Sequence, residues 1–285
     1  MKKQLVILLS VISISGISMG QNHIKLSLAE WSLHRAIQSG KITNLDFPRI
    51  ARTQYGIGVV EYVSILFDGK TSVTDSVYLK KLKNECLKYN VISNLIMVDG
   101  EGNLGDTCFE KRNQAVENHY KWVKAASFLG CYSIRVNAAG DGSPEVVQKA
   151  VIDGLTKLCD YASKFNINVI VENHWGNSSN PDWLIPAIKA VHRSNCGVLP
   201  DFGNFDKINR YEAVEKMMPF ARGVSAKSYD FDENGNETKI DYPKMLKIVS
   251  KSGYNGYLGI EYEGERLTED QGIKATIKLI QRSLK

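Results

Sequence analysis

Residues 168–175 read Asn168-Val169-Ile170-Val171-Glu172-Asn173-His174-Trp175. An unbroken Val-Ile-Val run suits a strand buried on both faces, because a strand with one wet face alternates apolar and polar residues. Polar residues follow at once, as they do where a parallel strand opens onto a site. Working outward, the same arrangement predicts strands at 24–28, 59–63, 93–98, 133–137, 197–200, 223–226 and 257–261. Helical stripes fall between them, at 46–55, 77–89, 113–129, 144–165, 182–191, 210–218, 242–252 and 268–284. In the second of these, Leu79, Leu82, Cys86 and Leu87 share one face. Pro144 sits in a first turn, where its missing N–H costs nothing. Eight β-then-α units over residues 21–285 predict an α/β chain folded as one (β/α)8 TIM barrel domain. A doubly wound open sheet is the rival, but no glycine-rich phosphate fingerprint follows the first strand.

Composition agrees with a globular enzyme or binding protein. The 285 residues are 43% hydrophobic and 24% charged with only 7 Pro, which excludes collagen-like, disordered and disulfide-knot classes. Residues 1–20 read as a cleavable signal peptide. Lys2 and Lys3 precede an apolar stretch from Leu5 to Ile17, and Ser18-Met19-Gly20 offers small residues for cleavage after Gly20. The expectation is therefore a periplasmic or secreted protein, with no stable membrane insertion once the signal is removed. Cleavage removes two of the charges that make the chain +5, leaving +3 with no basic stripe. Nucleic acid is thus not an expected partner. Five cysteines, Cys86, Cys108, Cys131, Cys159 and Cys196, show no metal-ligand spacing. They read as small hydrophobes, with room for one disulfide that sequence cannot choose.

A barrel of this kind builds its site at the C-terminal ends of its strands. Those ends are polar all round: Glu30-Trp31-Ser32-Leu33-His34, Glu61-Tyr62, Asp99-Gly100-Glu101-Gly102-Asn103 and Arg135-Val136-Asn137 on the first four. The last four give Glu172-Asn173-His174-Trp175, Asp201-Phe202-Gly203-Asn204, Ser225-Ala226-Lys227-Ser228 and Glu261-Tyr262-Glu263-Gly264. A single strand-end carboxylate is as often a cap or an ion-pair partner. Glu172, Asp201 and Glu261 converging on one concave mouth is a different matter, since like charges at close range need a cation or protons.

Three segments carry a resemblance: Val169-Ile-Val-Glu172-Asn-His174, Pro200-Asp201-Phe-Gly-Asn204 and Gly259-Ile-Glu261-Tyr-Glu263. They resemble the metal-site strands of the sugar phosphate isomerase/epimerase family, in the xylose-isomerase-like TIM barrel superfamily. That family holds a divalent metal with Glu, Asp, His and Glu from strands five to eight. The resemblance implies Glu172, Asp201 and Glu261 as three ligands, and Ser225 stands where the His is usual. Ser228 likewise replaces the family's Asp, while Lys227 is retained. Because a hydroxyl is a weaker donor than imidazole, three arrangements stay open. Mn²⁺ or Mg²⁺ sits on three carboxylates and water, His174 substitutes for the missing ligand, or the Lys227 ammonium takes the cation's role.

The resemblance further implies isomerisation or epimerisation of a sugar by proton transfer next to a carbonyl, with Glu172 and Glu261 as the catalytic pair. His34, Glu61, Arg135, Asn137, His174, Asn204 and Lys227 are the candidates for binding substrate. Export favours a free or keto sugar over a sugar phosphate. A lyase or hydratase acting on 3-keto glycosides needs the same acid–base pair and is the alternative. A non-catalytic carbohydrate-binding barrel is another, resting on the absent seventh-strand His. A DNA-directed member of the superfamily is disfavoured by the small charge. The family makes a homodimer an open expectation.

Two further motifs have plainer readings. Asp230-Phe-Asp232-Glu-Asn234-Gly235, followed by Asp241, approximates a calcium-binding loop, but a strand precedes it and a turn at Asn234-Gly235 is simpler. Residues 99–106 form a glycine-rich loop placed to reach over a substrate.

Overall fold

The second strand shows how the barrel is built. In β2 (Val59–Val63), Val60 and Tyr62 face outward into the large apolar cluster shared with the helices, whereas Val63 joins a smaller cluster inside the ring. Period-two alternation sends Glu61 the same way as Val63, inward. The computed structural model describes residues 24–69, 72–205 and 208–284.

Seven more strands repeat the pattern: β1 (Lys25–Ala29), β3 (Ile92–Met97), β4 (Ser133–Val136), β5 (Asn168–Glu172), β6 (Cys196–Leu199), β7 (Val224–Ser228) and β8 (Tyr257–Tyr262). All pair in parallel in the order β6-β5-β4-β3-β2-β1-β8-β7. The ring is drawn together between its two ends by parallel bridges Val198 to Ala221 and Asp201 to Ser225. The Ser225 N–H donates to Pro200 O at 2.9 Å, and the Phe202 N–H donates to Ser225 O at 3.1 Å. The fold is a TIM barrel, as the sequence predicts.

Helices cover the outside: α1 (His34–Gln38), α2 (Phe47–Tyr55), α3 (Ser76–Tyr89), α4 (Phe109–Leu129), α5 (Pro144–Ser163), α6 (Pro181–Val191), α7 (Arg210–Met217), α8 (Tyr242–Lys251) and α9 (Glu269–Ser283). Their ends follow local chemistry. Asp75 caps α3, Asn180 caps α6, and Thr268 with Gln271 forms a capping box on α9. The short α1 lies outside the predicted helices, because five residues are too few to show a helical period.

Inside the ring, Ala29, Val63, Leu95, Met97, Ile170 and Leu199 fill the apolar level. Gly259 faces the same interior, and its missing side chain makes room for Glu61: a Cβ there would lie 2.4 Å from Glu61 Oε2. All five cysteines are free thiols, four of them buried, so no disulfide joins them. No helix among the described residues is long and apolar enough to cross a membrane. The predicted signal peptide at 1–20 lies outside the described residues.

Candidate active site

The inward parity that points Glu61 into the barrel also turns Arg135 on β4, Glu172 on β5, Ser225 and Lys227 on β7, and Glu261 on β8 toward the axis. They meet under a cavity of about 630 Å³, whose lining includes Arg135, Asn137, His174, Asn204, Lys227 and Glu261. Six of the predicted site residues thus share one mouth. Glu172 and Asp201 lie just beneath it, 2% and 0% exposed.

Two polar groups of side chains make up the floor. In the first, the Arg135 guanidinium donates from an η nitrogen to Asp99 Oδ1 at 2.7 Å and brings its Nε to 2.8 Å from Glu172 Oε2. The second contact is an ion pair without hydrogen-bond alignment, since both atoms lack a hydrogen-bond partner. Asn137 Nδ2 donates to Asp99 Oδ1 at 2.7 Å, so its amide oxygen faces His174 Nδ1 at 3.0 Å. That orientation makes Nδ1 the protonated nitrogen of His174 and leaves Nε2 as an acceptor. Burial, with the positive charges of Arg135 and Lys227, pulls His174 down to about 3, so the ring is neutral.

In the second group, the Lys227 ammonium stands 3.2 Å from Glu263 Oε1, 3.6 Å from Glu261 Oε1 and 3.7 Å from Asp201 Oδ2. Three carboxylates around it outweigh its burial and hold the amine well above its usual value. Asp201 Oδ1 accepts from the Gly203 and Asn204 N–H groups at 2.7 and 2.8 Å. Asn173 clasps β5 to β6, accepting from the Asp201 N–H at 2.7 Å and donating to Asp201 O at 3.1 Å. Asn204 Nδ2 donates to Glu172 Oε1 at 3.0 Å.

The site fits a divalent cation. Glu172, Asp201 and Glu261 each present an oxygen within 4.8 Å of the others. Glu172 Oε2 and Asp201 Oδ2 are enclosed yet accept no hydrogen bond. Burial raises Glu172 to about 8 and Asp201 to about 6, despite Arg135 beside the first and Lys227 beside the second. Desolvation and mutual repulsion therefore exceed the compensation those two cations provide. At Ser225 the hydroxyl sits against the cluster and is engaged by it, donating to Glu261 Oε2 at 2.7 Å.

Two predicted substrate contacts are corrected. Glu61 does not line the cavity, because the next inward residue, Val63, stands between it and the mouth. It is held instead by Ser27 Oγ at 2.7 Å and Asn94 Nδ2 at 2.9 Å, both donating to Oε1. His34 begins α1 and stacks behind Trp31, ring centroids 4.5 Å apart, so Trp31 faces the cavity in its place. Asp99, Glu263, Trp31 and Trp175 line the cavity without having been among the candidates. Each adjoins a polar strand end, and the two tryptophans were the legible signal.

The other two motifs resolve simply. Asp232 accepts from the Asn234 and Asn236 N–H groups, and Glu237 accepts from the Tyr229 and Asp230 N–H groups at 3.1 and 3.2 Å. Gly235 turns with φ of 74°. These acids satisfy their own backbone, so the segment is a turn and not a calcium loop. The 99–106 loop lines the cavity but is tied down: Glu101 accepts from Lys121 Nζ at 2.9 Å and Trp122 Nε1 at 2.6 Å.

A family profile described as xylose isomerase-like TIM barrel matches residues 53–283. Among curated proteins, the C-glycoside deglycosidase alpha subunit of Arthrobacter globiformis is 42% identical over 66 residues, 23% of this chain and 18% of that subunit. The chain's match spans less than a fifth of the length of the curated relatives it resembles. Among solved structures, the IOLI protein with a bound zinc atom superposes with a TM-score of 0.72 at 15% identity, covering 92% of this chain and 98% of that one. The 3-keto-D-glucoside 4-epimerase of E. coli gives 0.66 at 17%, covering 90% and 99%. At such identities these structures establish likeness of fold alone.

Proposed function

Because the chain belongs to the xylose isomerase-like TIM barrel family, we propose that it is a sugar-modifying enzyme, an isomerase or epimerase that moves a proton at the carbon next to the carbonyl of a free or keto sugar. The observation that carries this reading is the cluster of Glu172, Asp201 and Glu261 beneath a cavity whose floor also holds Lys227 and Arg135. Glu261, at the cavity surface, takes the proton. The electron pair moves to the carbonyl oxygen, where the Lys227 ammonium is the group to receive the charge. Glu172, the second of the pair, returns a proton to the opposite face. Arg135 and Asn204 hold Glu172, Asn137 holds Asp99, and all three contact hydroxyls at the mouth. Glu172, Asp201 and Glu261 would hold a divalent metal, Mn²⁺ or Mg²⁺ suiting an all-oxygen set, and such an ion polarises a carbonyl as a Lewis acid.

A second reading has specific support in the curated deglycosidase relatives. On a 3-keto glycoside the same carboxylate removes the C2 proton, and the electron pair forms the C1–C2 double bond. The C1 substituent leaves with the bond's electrons and gains a proton from the site. Both readings begin with the same abstraction.

Incubating the protein with a 3-keto-glucoside in D₂O, and following the ring protons by NMR, tests the shared step. Deuterium entering at a carbon next to the ketone is the expected result, and its loss in Glu172→Gln and Glu261→Gln assigns the pair. No exchange under any metal condition removes the proposal. Retained exchange with an inverted centre indicates epimerisation, whereas release of the C1 group indicates elimination.

A further inference from the structure

The cavity is stratified. Three of its charged side chains are deep, Arg135 and Glu261 each 4% exposed and Lys227 2%, with Asp99 and Glu263 half-buried above them, while its rim carries large apolar ones, Trp175 at 57% and Ile65 at 55%. Trp31 and Ala139 continue that rim, from the loops after β1 and β4. What sets Trp175 and Ile65 apart from other exposed apolar side chains is that both line the mouth of the polar cavity, where an apolar part of a ligand would cover them. Volume points the same way. A hexose displaces roughly six water volumes of ~30 Å³ each, and the cavity of about 630 Å³ is several times larger than one ring needs.

We infer that the rim formed by Ile65, Trp175 and Trp31 is a second subsite, and that it takes a planar aromatic aglycone joined to the sugar held on the charged floor. A second sugar ring is the poorer occupant, because its hydroxyls need donors and acceptors that the side chains of Ile65 and Ala139 do not supply and the indoles supply only as single N–H donors. An aromatic ring needs only faces to stack on, and both indoles offer one. The arrangement commits the enzyme to glycosides carrying an apolar group over free monosaccharides. As a statement of substrate class it deepens the proton-transfer reading and rests on it.

The test uses unoxidised ligands, so that binding is measured without turnover. Phenyl β-D-glucoside, methyl β-D-glucoside and cellobiose are titrated into the full protein by calorimetry. The phenyl glucoside is expected to bind about tenfold more tightly than the methyl glucoside, with cellobiose close to the latter. In Ile65→Ser and in Trp175→Ala the phenyl-to-methyl ratio is expected to fall toward one. Using two variants separates loss of the subsite from disturbance of His174, whose ring lies 3.5 Å from that of Trp175. Equal binding of the two glucosides, no binding of either, a ratio that survives both substitutions, or cellobiose matching the phenyl glucoside overturns the inference. If the ratio behaves as expected while no keto-sugar exchanges deuterium, the subsite stands and the proton-transfer reading falls. The reverse result removes the subsite alone.

Discussion

Ser225 donates its hydroxyl to Glu261 Oε2 across 2.7 Å, joining the inward faces of β7 and β8 at the depth where the carboxylates gather. The donor at this position therefore serves a neighbouring acid and offers no strong metal ligand. Imidazole is a better donor to divalent first-row metals than a hydroxyl. We predict that Ser225→His tightens Mn²⁺ binding by at least about tenfold, read by calorimetry on metal-stripped protein. Unchanged affinity would show that no cation sits beside this strand.

Among the described residues Lys227 is the one ammonium beside Asp201, Glu261 and Glu263, and it is 2% exposed. Removing one partner of a buried ion cluster leaves the rest uncompensated, at a cost of about 3–5 kcal/mol. Lys227→Met is therefore predicted to melt several degrees lower than wild type. Added Mn²⁺ should recover part of that loss, because a cation bound only by the folded state stabilises it by mass action. Thermal melts with and without Mn²⁺ check this, and an equal deficit in both sinks the prediction.

Much of this was readable beforehand. Val169-Ile170-Val171 is apolar on both faces because the barrel core lies on one side and helices on the other, so β5 was legible to the residue. Convergence of Glu172, Asp201 and Glu261 followed from their place at strand ends. Depth within a strand was less visible. Glu61 lies mid-strand with Val63 above it on the same face, so a polar residue near a strand end was in fact sealed below the cavity. His34 was misplaced because the chain leaves β1 through the 3-10 turn Glu30–Leu33 into α1, and turns leave no periodic trace. The Asp99–Asn137–His174 chain joins distant loops, which no local pattern encodes.

Glu61 gives a pH prediction whose sign can be worked out. Burial, opposed by hydrogen bonds from Ser27 and Asn94, leaves its carboxyl raised from 4.5 to about 7. The folded state thus keeps the proton that the unfolded chain releases. Its contribution is fully present below pH 4.5 and is lost as pH rises through about 7, where the cost reaches roughly 3 kcal/mol. Both hydrogen bonds go to Oε1, so a glutamine keeps them. Glu61→Gln is expected to match wild type near pH 4.5 and to exceed it above pH 7, in urea melts across that range. A stability difference that does not change with pH contradicts the assignment.

Arg135 closes the set because it bridges the two acids on its side of the floor, Asp99 and Glu172. A planar guanidinium reaches both at once through different nitrogens, and a lysine ammonium at this position is a single point of charge. Arg135→Lys keeps the charge and loses the second contact, so it isolates geometry from electrostatics. With the Arg135 contact to Glu172 lost and its Oε2 no longer fixed, kcat for the proton transfer is predicted to fall about 10²-fold. KM changes less, because Asn137 and Asn204 still face the cavity. Rates of deuterium exchange into a 3-keto-glucoside, measured at several substrate concentrations, separate the two parameters. A variant with normal kcat and raised KM would instead place Arg135 on the substrate and not on the acids.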